Sequence, residues 1–279
     1  MGERVGLVGV GAMGTALLSR LHAAGREVQA YDVSAERMDA VRAAGAKAVV
    51  SAVEAARDVA FVHVFVRTDE ELLDVTMGKG AILSAAKKGA IVFLHSTVLP
   101  ETSRAIDTAA RGKGVRIVDA PITAVPRVVA EGNAVFLLGG DKTDADVAVP
   151  YLKPLGKAVY HFGPVGSGNV AKIAKNLINA NERIALTEAA AIAEAGGLDV
   201  GKFLDMAAAV DRGSTVGRWQ ATLTVEANHV VPRPASNLYN KDVGLAAELA
   251  RKLKVRAPMT QAAADTAKGW VEGWEGKKR

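Results

Sequence analysis

The sequence predicts an α/β domain built on a doubly wound, mostly parallel sheet, followed by an all-α domain. Through the first 160 residues short apolar runs alternate with Ala-rich amphipathic stretches, a rhythm typical of strands and helices in a parallel sheet. After Gly163-Pro164 the apolar residues recur at helical spacing instead. A chain of 279 residues is long enough for two modest domains, and we place them at 1–163 and 164–279.

The predicted strands of the first domain are apolar runs flanked by Gly, Asp and Ser, the residues that turns require. They predict a sheet of about seven or eight strands, with a helix over 144–152 between the last two. The runs are 5–8, 28–31, 61–66, 90–94, 115–118, 135–138 and 158–162.

The second domain is predicted to be helical throughout. Its first helix is long, covering about 166–195 and ending at the glycine pair Gly196-Gly197, which is typical of a helix C-terminus. Further helices are expected to begin near Asp199 and after Pro258, and to cover 218–226 and 239–253. A proline-rich loop at 230–234 interrupts them.

Composition and charge exclude several classes of protein. The chain is 49% hydrophobic and 23% charged, which is typical of a globular protein rather than a disordered one. Its 35 basic residues are interleaved with 30 acidic ones, so we expect no nucleic-acid partner. No apolar run approaches the roughly 18 residues of a membrane helix, and no secretory leader is recognisable, which predicts a cytoplasmic protein without membrane contact. Without cysteine there is no disulfide or thiolate metal site, and we predict no metal.

A glycine-rich loop directly follows the first predicted strand and opens a helix. Its pattern is G-x-G-x-x-G, the form that binds the pyrophosphate of a dinucleotide at a helix N-terminus. The first glycine permits the tight turn, the second lets the backbone approach the pyrophosphate, and the third lets helix and strand pack closely. The cofactor-binding residues predicted here are Gly9, Gly11, Ala12, Met13 and Gly14.

Asp32 is the predicted partner of the cofactor ribose. It lies 18 residues past Gly14 at the end of the second predicted strand, as ribose binding requires. A carboxylate there accepts hydrogen bonds from the ribose hydroxyls of NAD but repels the 2′-phosphate of NADP, so NAD is favoured. Arg37, one turn into the next helix, keeps NADP open as an alternative. Asp32 would also serve as a helix cap, which does not exclude the ribose role.

Lys172 and Asn176 stand four residues apart on the first turns of the long predicted helix, so their side chains share one face. Apolar neighbours and the positive end of the helix dipole should lower the pKa of this ammonium toward the range of a general acid or base. Lys175 and Asn179 form a similar pair one step around the helix. The pattern alone therefore leaves open whether this face is catalytic or solvated.

Four sequence blocks occur in an order that resembles one family. They are the glycine loop at 6–14, Asp119-Ala120-Pro121, the run from Gly166 to Asn176, and the segment Lys241 to Ala246. The chain resembles the β-hydroxyacid dehydrogenase family, which includes 3-hydroxyisobutyrate dehydrogenases and tartronate semialdehyde reductases. The resemblance covers nearly the whole chain.

The resemblance implies an N-terminal Rossmann domain, a long interdomain helix, an all-α C-terminal domain, and an active site in the cleft between the domains. Homodimers or homotetramers are usual in the family. By match to its motifs, Lys172 is the expected catalytic acid/base and Asn176 orients the reacting oxygen. Lys241 is expected to approach the cofactor or substrate. Ser96-Thr97 resembles the step beside the nicotinamide ribose, although the pair is equally readable as a cap for the helix opening at Pro100.

The chain departs from the family pattern after Asp119-Ala120-Pro121. The usual small residue, Ser, Gly and Gly, which hold the substrate carboxylate, are replaced by Ile122-Thr123-Ala124-Val125. Thr123 keeps a hydroxyl, whereas Val125 resists a positive φ. The loop is therefore expected either to keep an ordinary backbone conformation or to form a different pocket. The substrate-binding residues predicted here are Thr123, Ala124 and Arg127, the last of which either binds a carboxylate or faces water.

A second departure is Val66-Arg67-Thr68, which stands where the family has a Leu-Pro step lining the cofactor. We predict that these residues contact the cofactor, and Arg67 is alternatively a surface charge. His63 and His95 have no carboxylate partner recognisable in the sequence, so packing or solvent contact is expected for them. Trp219 is a candidate wall of the substrate site.

Together these features predict an NAD(P)-dependent oxidoreductase acting on the CH–OH group of a short 3-hydroxy acid. The first alternative is an enzyme of the same fold acting on a non-carboxylate alcohol, aldehyde or imine. The second is a dinucleotide-binding module without catalytic activity, against which the retention of both Lys172 and Asn176 argues.

Overall fold

The computed structural model describes residues 2–210, 223–227, 229–232 and 237–274. It divides into two compact units, Met1–Lys172 and Ile173–Arg279.

The first unit alternates strands and helices along the chain. Its strands are β1 (Arg4–Val8), β2 (Glu27–Tyr31), β3 (Lys47–Ala48), β4 (Phe61–Val64), β5 (Ile91–Leu94), β6 (Arg116–Asp119), β7 (Ile122–Thr123), β8 (Val135–Leu138) and β9 (Ala158–His161). Its helices are α1 (Ala12–Ala23), α2 (Ala35–Ala43), α3 (Ala52–Ala56), α4 (Asp69–Met77), α5 (Pro100–Arg111), α6 (Pro126–Ala130) and α7 (Lys142–Leu152).

Six of these strands form one parallel sheet in the order β3-β2-β1-β4-β5-β6. Alternate residues of a strand enter two different hydrophobic clusters: Leu7 lies in one and Val8 in the other. Because both faces are buried, the strands read as continuous apolar runs, as the sequence indicated. The strand order reverses between β1 and β4, which is where ligands bind in sheets of this type.

The prediction of a single sheet with seven or eight strands is wrong. β7, β8 and β9 form a separate three-stranded sheet in which β7 runs antiparallel to β8, and β9 parallel to it. A reciprocal bridge between Asp119 and Gly139 connects it to the end of β6. The chain turns at Pro121, which has no N–H to continue a sheet ladder, so pairing starts again in a new direction.

The second unit is helical, as predicted. Its helices are the long α8 (Ser167–Ala195), which begins at the end of the first unit, α9 (Val200–Val210), α10 (Asn237–Lys252) and α11 (Pro258–Trp274). Leu186 and Ala190 of α8 pack on Val200 and Leu204 of α9. Among the described helices, none has both the length and the apolarity needed to cross a membrane.

One hairpin departs from the predicted all-α domain. β10 (Leu223–Glu226) pairs antiparallel with β11 (His229–Pro232). The predicted helix over 218–226 and the predicted loop over 230–234 are therefore wrong at 223–226 and 230–232; 211–222 and 233–236 lie outside the described residues. Thr224 and Val225 are β-formers that the helical spacing outweighed in the prediction.

Candidate functional site

The glycine loop joins the carboxyl end of β1 to the N-terminus of α1. At Gly9 the φ of +87° and the Phe65 carbonyl, 1.8 Å from where a Cβ would stand, exclude a side chain. At Gly14 a Cβ would lie 2.0 Å from the Gly9 carbonyl oxygen. Gly11 differs, since its φ is −68° and the nearest atom to an added Cβ is Arg37 Nη1 at 3.7 Å. The protein itself therefore does not require glycine at position 11, and the open space fits a bound pyrophosphate.

The N-terminus of α1 presents backbone amides toward this loop. No side chain caps its first turn, and no acidic residue lies in that turn, which contains Ala12, Met13 and Gly14. Such a helix end carries partial positive charge and unused N–H donors, which suit an anion. The predicted loop residues are thus brought together in a geometry that can hold a dinucleotide phosphate.

Asp32 lies buried at the end of β2 and holds the glycine loop. Its Oδ2 accepts a hydrogen bond from Val10 N at 2.7 Å, and its Oδ1 accepts one from Ser34 N at 2.9 Å. Ser34, not Asp32, occupies the N-cap position of α2. Arg37 Nη1 lies 3.4 Å from Asp32 Oδ2, and half of the Arg37 side chain is exposed. A carboxylate and a guanidinium therefore stand side by side next to Gly11.

The segment after β4 lies beside the end of β5. Ser96 Oγ accepts from Val66 N at 3.0 Å and donates to the Val66 carbonyl at 2.8 Å, which ties the two strand ends together. Arg67 is mostly exposed and pairs with Glu71 at 2.7 Å, and Thr68 caps α4 by accepting from Glu71 N. Arg67 precedes α4 and its guanidinium lies at the surface, and the cofactor contact of Val66, Arg67 and Thr68 stays a prediction. Leu99, rather than Ser96 or Thr97, stands at the N-cap position of α5, which argues against the alternative that this pair caps the helix; the Leu99 N–H donates to Asp69 Oδ1 at 2.9 Å.

Asp119, at the end of β6, anchors the first turn of α8. Its Oδ1 accepts from Gly166 N at 2.6 Å and its Oδ2 from Asn169 N at 2.8 Å. Burial raises the pKa of Asp119 to about 6, opposed by these backbone N–H donors and by that of Gly168. At neutral pH the carboxyl is therefore ionised, and its negative charge faces the positive end of the helix. This anchor fixes the helix turn that carries Lys172.

Lys172 reaches the segment that follows Asp119. Its Nζ donates a hydrogen bond to the Ile122 carbonyl at 2.7 Å, and its side chain is half-buried. A carbonyl oxygen accepts hydrogen bonds and does not donate them, and both the neutral amine and the ammonium of lysine have an N–H to donate to it. The amine is therefore held in place in both of its protonation states.

Asn176 and Lys241 are brought together in the second unit. Asn176 Nδ2 donates to Asp242 Oδ2 at 2.7 Å, and Lys241 Nζ lies 3.2 Å from Asp242 Oδ1. Asp242 therefore holds both side chains. Asp242 was not predicted as a site residue; its place next to Lys241 was the available signal for that pair, whereas its contact with Asn176 spans 66 residues of sequence.

The loop Ile122–Val125, which departs from the family pattern, keeps an ordinary backbone conformation at Val125. Thr123 and Ala124 are half-buried, and Val125 adopts φ −88° at the N-cap of α6. Arg127 is largely exposed, with its Nη1 3.7 Å from Glu131 Oε1, which matches the solvent-facing alternative. Trp219 lies outside the described residues.

His63 and His95 are buried and hydrogen-bonded to each other, with nitrogen atoms 2.8 Å apart. Of the two roles expected for them, packing or solvent contact, packing is the one observed, and it includes a polar contact that was not predicted. His63 lies in β4 and His95 directly follows the neighbouring strand β5, so no signal in the sequence identified this contact. Within the described part of the chain, no group of three or more His, Asp or Glu side chains is arranged to hold a metal.

A glycine loop at the switch point of a parallel sheet defines the class of dinucleotide-binding proteins. Two family models match this chain. The NAD binding domain of 6-phosphogluconate dehydrogenase matches residues 4–163, and the NAD-binding domain of NADP-dependent 3-hydroxyisobutyrate dehydrogenase matches 166–278. The chain belongs to the β-hydroxyacid dehydrogenase family and is an NAD(P)-dependent oxidoreductase acting on CH–OH groups.

The chain is similar to several named proteins along most of its length. It is 29% identical to the NAD-dependent L-serine dehydrogenase of Pseudomonas aeruginosa, over 92% of this chain and 88% of that protein. The structure of Mycobacterium tuberculosis 3-hydroxyisobutyrate dehydrogenase with L-serine matches at TM-score 0.81 and 27% identity, covering 98% of this chain and 95% of that one. The fold also matches 3-hydroxyisobutyrate dehydrogenase from Salmonella typhimurium at TM-score 0.83 and 24% identity, covering 96% and 93%.

Proposed function

We propose that this enzyme interconverts a short 3-hydroxy acid and its semialdehyde or ketone, with Lys172 as the general acid/base. The observation that carries the proposal is the bond from Lys172 Nζ to the Ile122 carbonyl. It anchors an amine beside Thr123, on a helix turn that Asp119 holds in place. A general base needs such a fixed position within reach of the proton that it takes.

Bound NAD(P) supplies the hydride acceptor, and the protein supplies geometry and proton transfer. In the oxidative direction neutral Lys172 takes the proton of the substrate hydroxyl while the hydride leaves the same carbon. In the reductive direction the Lys172 ammonium protonates the forming alkoxide. We assign Asn176, held by Asp242, to orient the reacting oxygen, and Lys241 to approach the cofactor or substrate.

The named relatives support this substrate class. L-Serine, after which one relative is named and with which one similar enzyme was solved, is a carboxylic acid with a hydroxyl on carbon 3. The same arrangement defines a 3-hydroxy acid. We therefore propose a substrate with a carboxylate and a 3-hydroxyl, for which the Thr123 hydroxyl is an available polar contact.

The loop after Thr123 favours the alternative substrate class, in which the substrate has no carboxylate. Ala124 and Val125 are apolar, Val125 is 60% exposed, and Pro126 has no N–H to donate. An apolar edge of this kind favours a substrate without a carboxylate, such as a simple alcohol or aldehyde, over an anion.

A substrate panel distinguishes these two candidates. It contains 3-hydroxy acids, L-serine among them, and alcohols of the same length that lack the carboxylate, each with NAD and with NADP. We expect kcat/KM for the best acid to exceed that of its non-acid counterpart by about 100-fold, as is typical when a site binds a charged group that the analogue lacks. Higher kcat/KM on the non-acids would contradict the carboxylate proposal and support the alternative.

For the cofactor, we propose that Asp32 binds the ribose of NAD while Arg37 lets the site also accept NADP. Support comes from the half-exposed Arg37 guanidinium 3.4 Å from Asp32 Oδ2, a group that pairs well with phosphate. In Arg37→Ala the Kd for NADP should rise about tenfold, a loss of about 1.4 kcal/mol, with the Kd for NAD within twofold. Isothermal titration calorimetry checks both values.

Arg42→Ala is the matched control, because Arg42 is an exposed arginine on the same helix and pairs with Asp39. It should change neither Kd. An equal loss of NAD and NADP affinity in Arg37→Ala would contradict the assignment and place Arg37 at a group that both cofactors share.

A further inference from the structure

Three buried side chains form a hydrogen-bonded chain through the core of the first unit. Tyr151 Oη lies 2.9 Å from His63 Nε2, and His63 Nδ1 lies 2.8 Å from His95 Nε2. His95 Nδ1 lies 2.7 Å from the carbonyl oxygen of Ala120. All three side chains are at least nine-tenths buried. The hydrogen-bonded chain therefore runs from α7 through β4 and the residue after β5 to the residue that follows Asp119.

The last acceptor of this hydrogen-bonded series determines which atom donates in each of its hydrogen bonds. Burial lowers the pKa of His95 to about 4, and burial, His95 and Arg26 together hold the pKa of His63 well below its ordinary value. Both rings are therefore neutral at pH 7 and carry one N–H each. Because the Ala120 carbonyl only accepts, His95 carries its proton on Nδ1, His63 must donate from Nδ1, and Tyr151 donates its hydroxyl proton to His63.

The hydrogen bond to the Ala120 carbonyl fixes a peptide that has no other hydrogen-bonding group. The next residue is Pro121, so the peptide between them has no N–H, and its carbonyl is its only hydrogen-bonding group. Ile122, whose carbonyl accepts from Lys172, is one residue further. The His95 ring also stacks on Phe65 with centroids 4.5 Å apart, and the Phe65 carbonyl crowds Gly9. His95 thus contacts both the end of β6 and the residue packed against the glycine loop.

We propose that His95, oriented by His63 and Tyr151, is a positioning residue that fixes the Ala120–Ile122 backbone and thereby the Ile122 carbonyl that holds Lys172. This inference rests on the proposed function, in which Lys172 is the acid/base. His95 does not relay protons to the site, because the chain ends on a carbonyl that has no proton to pass on. The charged groups at its other end are Arg26, whose guanidinium lies 5.0 Å from the centroid of the Tyr151 ring, and Glu3, which pairs with Arg26.

The first test does not depend on activity. Two-bond ¹H–¹⁵N correlation spectra of the imidazoles show which ring nitrogen carries the proton. We expect His63 and His95 to be neutral at pH 7 with the proton on Nδ1, and Tyr151→Phe to change the His63 signals. Tyr160→Phe, which alters an exposed tyrosine of the same unit, is the matched control and should leave both histidines unchanged. Protons on Nε2 in the unaltered enzyme would overturn the proposed direction of the chain.

The second test separates positioning from packing. His95→Leu keeps an apolar side chain but loses the donor, and it should lower kcat by about 10-fold to 100-fold with KM within threefold. His95→Asn places an amide N–H near the position of Nδ1 and should recover most of that loss. A lower melting temperature with unchanged kcat in His95→Leu, or no recovery in His95→Asn, would show that the ring only fills the core.

If His95→Leu does not fold, Tyr151→Phe takes its place in the kinetic test. It removes one hydroxyl, and we expect a severalfold fall in kcat that Tyr160→Phe does not reproduce; an unchanged kcat would count against the inference. Lys172→Met separates this inference from the proposed function. Turnover retained in Lys172→Met overturns the proposed function, whereas an inactive Lys172→Met beside a fully active His95→Leu overturns only the role of His95.

Discussion

Replacing Lys172 with methionine should lower kcat by about 10²-fold to 10⁴-fold, the usual contribution of a general acid/base. Methionine keeps an unbranched, half-buried side chain but has no proton to exchange. It also leaves the Ile122 carbonyl without this donor, a change that costs about 1 kcal/mol of unfolding free energy. Steady-state kinetics across pH 6 to 10 should also show that the limb due to the lysine disappears from the profile of kcat/KM.

Lys175→Met is the matched control for this prediction. It removes the same charge from the same helix three residues further on, and it belongs to the alternative pair that the sequence could not separate from Lys172 and Asn176. We expect its kcat within threefold of the unaltered enzyme. Equal losses in the two variants, or full activity in Lys172→Met, would contradict the assignment of Lys172.

The parallel sheet could be predicted from the sequence because its main strands are buried on both faces. Burial on two faces makes each strand a continuous apolar run, a local signal that needs no knowledge of neighbouring strands. The two-residue strands β3 and β7 carry no such signal, since pairing with β2 and β8 alone defines them. The hairpin of β10 and β11 was also missed. Each of its strands has four residues, which is too short for an alternating pattern to be distinguished from a helical one.

The glycine loop was the most predictable part of the site. Its function depends on a turn, a helix N-terminus and an acidic residue at fixed distances along the chain, all of which are local. The pairing of Arg67 with Glu71 is local too, since the two residues are four apart, but it was not predicted, and Arg67 precedes the N-cap Thr68 of α4. The partners of Lys172 and Asn176 were not predictable, because Ile122 and Asp242 lie 50 and 66 residues away in the sequence.

The polar chain of Tyr151, His63 and His95 shows a further limit. A histidine inside an apolar run is more often packed or solvated than functional, and nothing near His63 in the sequence identifies its partners. Those partners come from α7 and from the residue directly after β5, so they become neighbours only after the sheet and its covering helix have assembled. Sequence spacing predicts contacts within one element, whereas contacts between elements depend on register.

The three glycines of the cofactor loop should respond differently to alanine, because only two of them are required by the protein itself. In Gly9→Ala the new Cβ would lie 1.8 Å from the Phe65 carbonyl oxygen in a backbone of φ +87°, and the free energy of unfolding should fall by about 3 kcal/mol or more. In Gly14→Ala the free energy of unfolding should fall by a similar amount, since the new Cβ would lie 2.0 Å from the Gly9 carbonyl oxygen. In Gly11→Ala the free energy of unfolding should fall by no more than about 1 kcal/mol, the cost of alanine at the N-cap of α1, while the Kd for NAD rises at least about tenfold.

Gly45→Ala separates the clash at Gly9 from the cost of the backbone conformation. Gly45 has φ +79° but no atom within 4 Å of an added Cβ, so its variant should lose only about 1 kcal/mol. Denaturant unfolding gives the stabilities and calorimetric titration gives the Kd. If Gly11→Ala bound NAD as tightly as the unaltered enzyme, the pyrophosphate would not lie against Gly11. Because no neighbouring atom requires residue 11 to be small, the Kd of Gly11→Ala for NAD is the most direct test of where the cofactor binds.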